Sequence, residues 1–223
     1  MDEGYSLMLG SLKIHVSIIS TWGVMIFIIS LVWLATRHMR MLPSGMQTVI
    51  EGIFEAMEQA VLEVTPEHGR LIMPFISTLW VFLIIANMVG LIPGLHSPTA
   101  DLSVTSALAI LVFLSVHWFG IRIQGLKKYL HHYLQPTPML LPFHIISEFT
   151  RTLALAIRLF GNVMSLEMAA MLIVLVAGFL APIPILMLHI IEALVQAYIF
   201  GMLALIYLAS AMQSQQINSE KSL

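Results

Sequence analysis

Five long apolar runs divide the chain, and each is long enough to cross a membrane. We predict the first three spans at about 14–35, 71–92 and 102–123, and the last two at 143–180 and 185–212. A membrane helix needs about 20 consecutive apolar residues, so the run at 143–180 predicts a strongly tilted helix. Only "APIP" separates it from the last run, and Pro182 and Pro184 are expected to break the helix there. These two runs therefore predict a long tilted hairpin.

The segment between the first two spans has a different pattern. Within "MQTVIEGIFEAMEQAVLEV" the apolar residues fall on one helical face, and Gln47 and four glutamates lie opposite. This pattern predicts an amphipathic helix at the membrane interface. Helices that lie on a membrane surface are usually basic, whereas this one is acidic. We therefore expect it to pack partly on protein.

Composition agrees with a membrane protein. The chain is 59% hydrophobic and 10% charged, with a mean hydropathy of +0.93, whereas about a quarter of the residues in soluble domains are charged. It has no cysteine, so disulfides give no information on the compartment. Arg37, Arg70 and Arg122 mark the cytoplasmic ends of the first three spans. The prediction is an all-α polytopic membrane protein with about five membrane helices and one interfacial helix.

Charge placement also predicts the topology. Because Lys and Arg favour the cytoplasmic ends of membrane spans, we predict that the N-terminus lies outside the cell and the C-terminus in the cytoplasm. The expected parts are an N-terminal outside segment with the first span (1–40), a cytoplasmic interfacial helix (41–68), the second and third spans with a cytoplasmic loop (69–138), the tilted hairpin (139–212) and a polar cytoplasmic tail (213–223).

A charged residue near the centre of the fourth run raises the main functional question. A charge at this depth costs about 2.5–3.5 kcal/mol on insertion scales, and Arg158 is such a charge. At about 100° per residue, Arg158, Asn162 and Ser165 share one helix face. Arg151 joins them one heptad upstream, and Glu148 lies at the edge of this stripe.

The last run carries a second polar stripe. His189, Glu192 and Gln196 lie within about 60° of one another on a helix. Glu167, on the fourth run, projects away from the arginine face and is expected to line a cavity on the far side. In an antiparallel hairpin the expected partners at equal depth are Arg158 with Gln196, Asn162 with Glu192, and Glu167 with His189. The two stripes thus predict one buried polar region.

Structural interpretations remain beside a functional one. Arg158 could form an ion pair with Glu192 or Glu167 that only fixes packing, or its side chain could reach toward the interface. An ionisable group at membrane depth is nevertheless functional by default. His189 alone would more often be a packing residue, but its polar companions favour function. Asp101 is a secondary candidate for an ion path, although the helix that begins directly after it favours an N-cap.

Several chemistries have no motif in the sequence. It contains no HExxH, GxxxxGK[ST] or GxSxG, and its acidic residues are too scattered for a metal cluster. We expect no cofactor, no metal site, no catalytic residue and no nucleic-acid binding. The remaining chemistry is the movement of a proton or another cation along a polar path inside the membrane.

With these residues in view, the chain resembles subunit a of F-type ATP synthases. The motif "LALAIRLFGNVMSLE" is similar to the arginine segment of that family. Further matches follow in family order: "PSGMQTVIE", "NMVGLIPG", "PTADLSVT" and "HIIEALVQAYIFGMLALIYLASA". They cover most of residues 40–212. The chain departs from the common pattern at Arg151–Thr152, where many relatives have a basic residue followed by proline, and at Glu192.

The resemblance implies a membrane stator beside a ring of c subunits, with stalk subunit b and the other synthase subunits as partners in a lipid bilayer. It implies transport of H⁺ or Na⁺ through two offset half-channels, while ATP chemistry takes place in other subunits. The bacterial inner membrane is the expected location. An arginine stays protonated, so it stabilises a bare ring carboxylate without passing a proton between the half-channels.

The resemblance also implies residue roles. Arg158 faces the ring, and Asn162 and Gln196 hold its geometry. Glu167, His189 and Glu192 line the outer half-channel. The inner half-channel is shaped by two residues nearer the cytoplasm, Glu148 and Arg151.

Two other classes of function compete with this interpretation. A self-contained secondary transporter could bind an anionic substrate at Arg158, but such folds usually show an inverted repeat and broken helices, which this sequence lacks. A purely structural membrane anchor would not explain the buried polar stripes.

Overall fold

The computed structural model describes residues 6–9, 12–37, 45–92, 97–126, 129, 141–178 and 183–213. A short antiparallel hairpin, β1 and β2, precedes the first helix, and a 3₁₀ turn at Pro98–Ala100 precedes the fourth. The elements are β1 Ser6–Leu9, β2 Leu12–His15, α1 Val16–Thr36, α2 Gly45–Val64, α3 Gly69–Val89, α4 Leu102–Gln124, α5 Leu141–Ala177 and α6 Ile183–Gln213.

Five of these helices, α1, α3, α4, α5 and α6, are long and apolar enough to cross a membrane. The predicted fold class, a polytopic helical membrane protein, is therefore confirmed. The 37 residues of α5 extend for about 55 Å at about 1.5 Å per residue. Because the hydrocarbon core is only about 30 Å thick, this length fits the expected tilt.

The end of α5 differs from the prediction. The helix ends at Ala177, and Gly178 has a φ of 83° while its N–H donates to the carbonyl of Val174 at 3.2 Å. Glycine adopts this left-handed conformation without a steric penalty. Pro184 does not break a helix, because it lies in the first turn of α6, where proline is tolerated. Pro182 lies outside the described residues.

The core is formed by α3, α4, α5 and α6, and α5 packs on α4 as well as on α6. Fully buried side chains come from each helix, among them Leu83, Val112, Leu159 and Phe200. The last two helices therefore pack on each other within a four-helix group. Their rotation and their height along one another are set by this whole group.

The amphipathic helix α2 meets the expectation only in part. Its last turns pack on the protein, where Val61 is fully buried. In the first half of α2, the apolar side chains of Val49, Ile53 and Phe54 are all more than half exposed. The described part of the chain thus covers only the C-terminal turns of this helix.

Candidate functional site

A small polar cavity lies between α5 and α6. Asn162 lines it from α5, and His189, Glu192 and Gln196 line it from α6. Its apolar walls are Val163, Leu166 and Ala193. The volume of about 10 Å³ is about the space that one water molecule needs. Both polar stripes predicted from the sequence therefore contribute to one site.

One hydrogen bond joins the two helices at this cavity. Asn162 Nδ2 donates to Gln196 Oε1 at 2.7 Å. Gln196 and His189 are buried, with exposed fractions of only 3% and 2%. Gln196 Nε2 and His189 Nε2 have no hydrogen-bond partner among the described residues. The site thus brings together two buried polar side chains, each with a nitrogen atom that no described residue satisfies.

The partners differ from the predicted pairs by about one helical turn. Gln196 bonds to Asn162 and not to Arg158. Helical side chains lean toward the N-terminus of their own helix. In an antiparallel pair the two side chains therefore lean in opposite directions, and residues one turn apart can meet. A pairing by equal depth ignores this lean.

Arg158 lies on the exposed face of α5. Among the described residues, no hydrogen bond or salt bridge reaches its guanidinium, so the ion pairs with Glu192 or Glu167 are absent there. Ser165 is exposed on the same face, and its hydroxyl donates to the carbonyl of Gly161 at 2.6 Å. The structure thus separates Arg158 and Ser165, which face outward, from Asn162, which turns toward α6.

Glu167 lies in a second polar group, outside the cavity. Its Oε1 accepts the backbone N–H of Ser97 at 3.1 Å, and among the described residues no hydrogen bond joins Glu167 to His189, the partner predicted at equal depth. Ser97 is buried, and its hydroxyl donates to the carbonyl of Ala86 at 2.8 Å. The turn between α3 and α4 therefore fixes this carboxylate.

Sequence reasoning missed Asn87 and Thr99, which are fully buried in this second group. Thr99 Oγ1 donates to Asn87 Oδ1 at 2.7 Å, and Asn87 Nδ2 donates to the carbonyl of Ala193 at 3.4 Å. The hydroxyl oxygens of Ser97 and Thr99 lie 2.7 Å apart. These contacts link the region of Glu167 to the backbone of α6 beside the cavity. The sequence feature that could have identified Asn87 is a single amide side chain within an apolar run.

The secondary candidates lie elsewhere. Asp101 caps α4, because its carboxylate accepts the N–H of Ser103 at 2.9 Å, as the N-cap interpretation predicts. The guanidinium carbon of Arg151 lies 5.3 Å from the ring centre of Tyr207 on α6, a cation–π distance. Glu148 is half-buried near the start of α5. Neither Glu148 nor Arg151 lines the cavity between α5 and α6.

Fold and site together define an integral membrane protein with polar side chains enclosed between its two longest helices. The family model of the ATP synthase A chain matches residues 18–209. The chain is 60% identical to ATP synthase subunit a 2 of Pelobacter propionicus, over 92% of this chain and 90% of that protein. It is 55% identical to ATP synthase subunit a of Legionella pneumophila, over 98% of this chain and 97% of that protein.

The chain therefore belongs to the ATP synthase subunit a family. Members of this family are the non-catalytic membrane subunit of a complex that makes ATP and moves ions, and catalysis takes place in other subunits. The other synthase subunits are its partners. This membership replaces the alternatives of a self-contained transporter and a structural anchor.

Proposed function

We propose that this chain is the ion-translocating stator of its complex and carries H⁺ or Na⁺ through two offset half-channels. Arg158 faces the ring of c subunits and stabilises each ring carboxylate after it has released its ion. The observation that carries this proposal is the exposed guanidinium of Arg158 near the middle of an apolar helix. An unpaired charge at that depth is costly, so a partner outside the chain that brings a negative charge would offset the cost.

The surface around Arg158 supports a partner that lies within the membrane. Leu153 and Ile157 are about half exposed on α5, with exposed fractions of 47% and 53%. Ser165 is also exposed on the arginine face. A c subunit with one carboxylate on an otherwise apolar helix would match both the charge and the apolar surroundings. Lipid alone would match only the apolar part.

The enclosed polar groups support the remaining roles. Asn162 and Gln196 are joined by a hydrogen bond and position the segment that carries Arg158. We assign Glu167, His189 and Glu192 to the outer half-channel, and Glu148 and Arg151 to the inner one. Asp101 is assigned to helix capping instead of the ion path, because its carboxylate accepts the N–H of Ser103.

We also propose the setting of the subunit. The named relatives come from bacteria, which supports the bacterial inner membrane. The positive-inside rule supports an outside N-terminus and a cytoplasmic C-terminus. Stalk subunit b and the c-ring are the proposed neighbours. The membrane field supplies about 2.3 kcal/mol per charge per 100 mV, and this energy drives each ion through the path.

The test is ATP-driven ion uptake into vesicles that contain the assembled complex, with and without Na⁺. We expect Arg158→Ala to abolish coupled uptake although the complex assembles, as judged on a native gel. Val174→Ala is the control, because Val174 is also an exposed apolar residue of α5 but lies about four turns from Arg158, and it should retain uptake. Na⁺ dependence of the wild type would identify the ion. Wild-type uptake by assembled Arg158→Ala would refute the proposal.

A further inference from the structure

Gly90, the residue that follows α3, leaves room for the carboxylate of Glu167. Its φ of −64° and ψ of −12° lie in the helical region, which other residue types also adopt. Conformational freedom is therefore not what this position requires of glycine. A Cβ here would lie 3.1 Å from Glu167 Oε1 and 3.1 Å from Ser97 Cβ, so any side chain would press against the carboxylate.

The backbone of Ser97 holds the same carboxylate oxygen. Its N–H donates to Glu167 Oε1 at 3.1 Å. The turn that presents this N–H is itself fixed, because Ser97 is only 3% exposed and its hydroxyl donates to the carbonyl of Ala86 at 2.8 Å. A donor on a fixed backbone positions its acceptor more precisely than a donor on a flexible side chain does.

The two oxygens of the Glu167 carboxylate have different surroundings. Oε1 accepts the N–H of Ser97, whereas Oε2 makes no hydrogen bond to any residue that the structure describes. Protonation of Oε2 would leave Oε1 as a carbonyl oxygen, which still accepts the N–H. The contact with Ser97 therefore persists whether the carboxyl group is charged or neutral.

We propose that Gly90 and the N–H of Ser97 are positioning groups for Glu167: they fix Oε1 in place and leave Oε2 as the oxygen that takes up and releases the ion. This inference rests on the proposed function, which assigns Glu167 to the outer half-channel, and adds the two groups that set the position of its carboxylate. If the ion is H⁺, a lone pair of Oε2 forms the O–H bond. The same pair returns to Oε2 when the proton leaves to the next oxygen acceptor in the path.

Gly90→Ala tests the position of the carboxylate without weakening the helix, because alanine is the better helix former. Ser97 lies in a fixed turn, so the flexible Glu167 side chain is the neighbour that must move by a few tenths of an ångström. A misplacement of about 1 Å costs about 100-fold in rate, so we expect ATP-driven uptake by the assembled complex to fall about three- to fivefold. Gly23→Ala is the matched control on α1, where a Cβ would meet nothing within 4 Å, and it should leave uptake unchanged.

A Glu167→Asp background shows whether the effect of Gly90→Ala passes through the carboxylate. Aspartate is one methylene shorter, so its carboxylate does not reach the added Cβ. Glu167→Asp itself should lower uptake, because it loses the contact with Ser97. Gly90→Ala should then cause little further loss in this background. Equal falls in both backgrounds would indicate a packing defect and overturn the inference, as would unchanged uptake in Gly90→Ala alone.

Two variants of Ser97 separate its N–H from its hydroxyl. The φ of Ser97 is −62° and its ψ is 130°, and these angles suit both a proline and a residue that precedes one, as Ser97 precedes Pro98. Ser97→Ala and Ser97→Pro both lose the hydroxyl, but only Ser97→Pro loses the N–H and places a ring carbon toward the carboxylate. Uptake should be about tenfold lower in Ser97→Pro than in Ser97→Ala. Equal uptake in the two assembled variants would count against the N–H.

Glu167→Gln separates failure of this inference from failure of the proposed role of Glu167. Wild-type uptake in Glu167→Gln would refute both, whereas loss of uptake there with wild-type uptake in Gly90→Ala would refute the inference alone. A high-resolution experimental map of the wild-type complex needs no variant. It should place one carboxylate oxygen of Glu167 about 2.7–3.2 Å from the backbone nitrogen of Ser97. A carboxylate turned away from Ser97 would overturn the inference.

Discussion

The buried amide of Asn87 leads to a prediction whose size can be worked out from its contacts. Asn87→Leu removes two hydrogen bonds, one from Thr99 at 2.7 Å and one to the carbonyl of Ala193 at 3.4 Å. Side-chain hydrogen bonds inside membrane proteins contribute about 0.6 kcal/mol on average and up to about 1.7 kcal/mol. The shorter bond should dominate, so we expect a loss of about 1–2 kcal/mol.

The assay is the temperature at which the subunit is lost from the purified complex, followed on native gels. For a chain of this size, about 1 kcal/mol corresponds to about 2–4 °C, so the midpoint should fall by about 2–8 °C. Ser77→Ala is the control on the same helix, because among the described residues the hydroxyl of Ser77 bonds only to the carbonyl of Pro74, one turn away. It should leave the midpoint nearly unchanged.

A double-mutant cycle separates the hydrogen bond from other effects of the substitution. Thr99→Val removes the opposite partner of the same bond, so the double variant should lose less than the sum of the two single variants. The shortfall should be about 0.6–1.7 kcal/mol. Strictly additive losses, or an unchanged midpoint in Asn87→Leu, would refute this account of the polar group that contains Asn87.

Three further predictions concern packing, capping and the bond between α5 and α6. A Cβ at Gly201 would overlap the indole of Trp80, so Gly201→Val should lower the amount of assembled complex, and a normal amount would contradict this contact. Asp101→Ala removes an N-cap and should cost about 1 kcal/mol of stability, with little effect on ion uptake. If the complex assembles fully but uptake is lost, Asp101 would instead be part of the ion path. Gln196→Leu should lower uptake, because it removes the hydrogen bond between Gln196 and Asn162. Adding Asn162→Leu should lower uptake further by less than Asn162→Leu does alone, since the same bond is already lost. Full additivity of the two effects would argue against this hydrogen bond.

Much of the fold could be predicted because it depends on local properties of the chain. The number of membrane helices follows from the length of each apolar run, and the polar stripes follow from helix periodicity. The stripe on α6 survives in the structure, where His189, Glu192 and Gln196 line one cavity, but only Asn162 joins them from the stripe on α5. The N-cap at Asp101 was also visible, since it depends only on the residues that follow it.

The contacts between helices could not be predicted in the same way. Periodicity defines the faces of α5 and α6, but the rotation and height of each helix depend on packing with α3 and α4. The close approach of Trp80 to Gly201 is one such constraint, and no local pattern specifies it. Only the tertiary structure therefore decided that Gln196 bonds to Asn162 and that Ser97 binds the carboxylate of Glu167. The sequence by itself determined which polar groups lie within the membrane, because this follows from the apolar runs around them. Their hydrogen-bond partners depend instead on how helices that are distant in the sequence pack together.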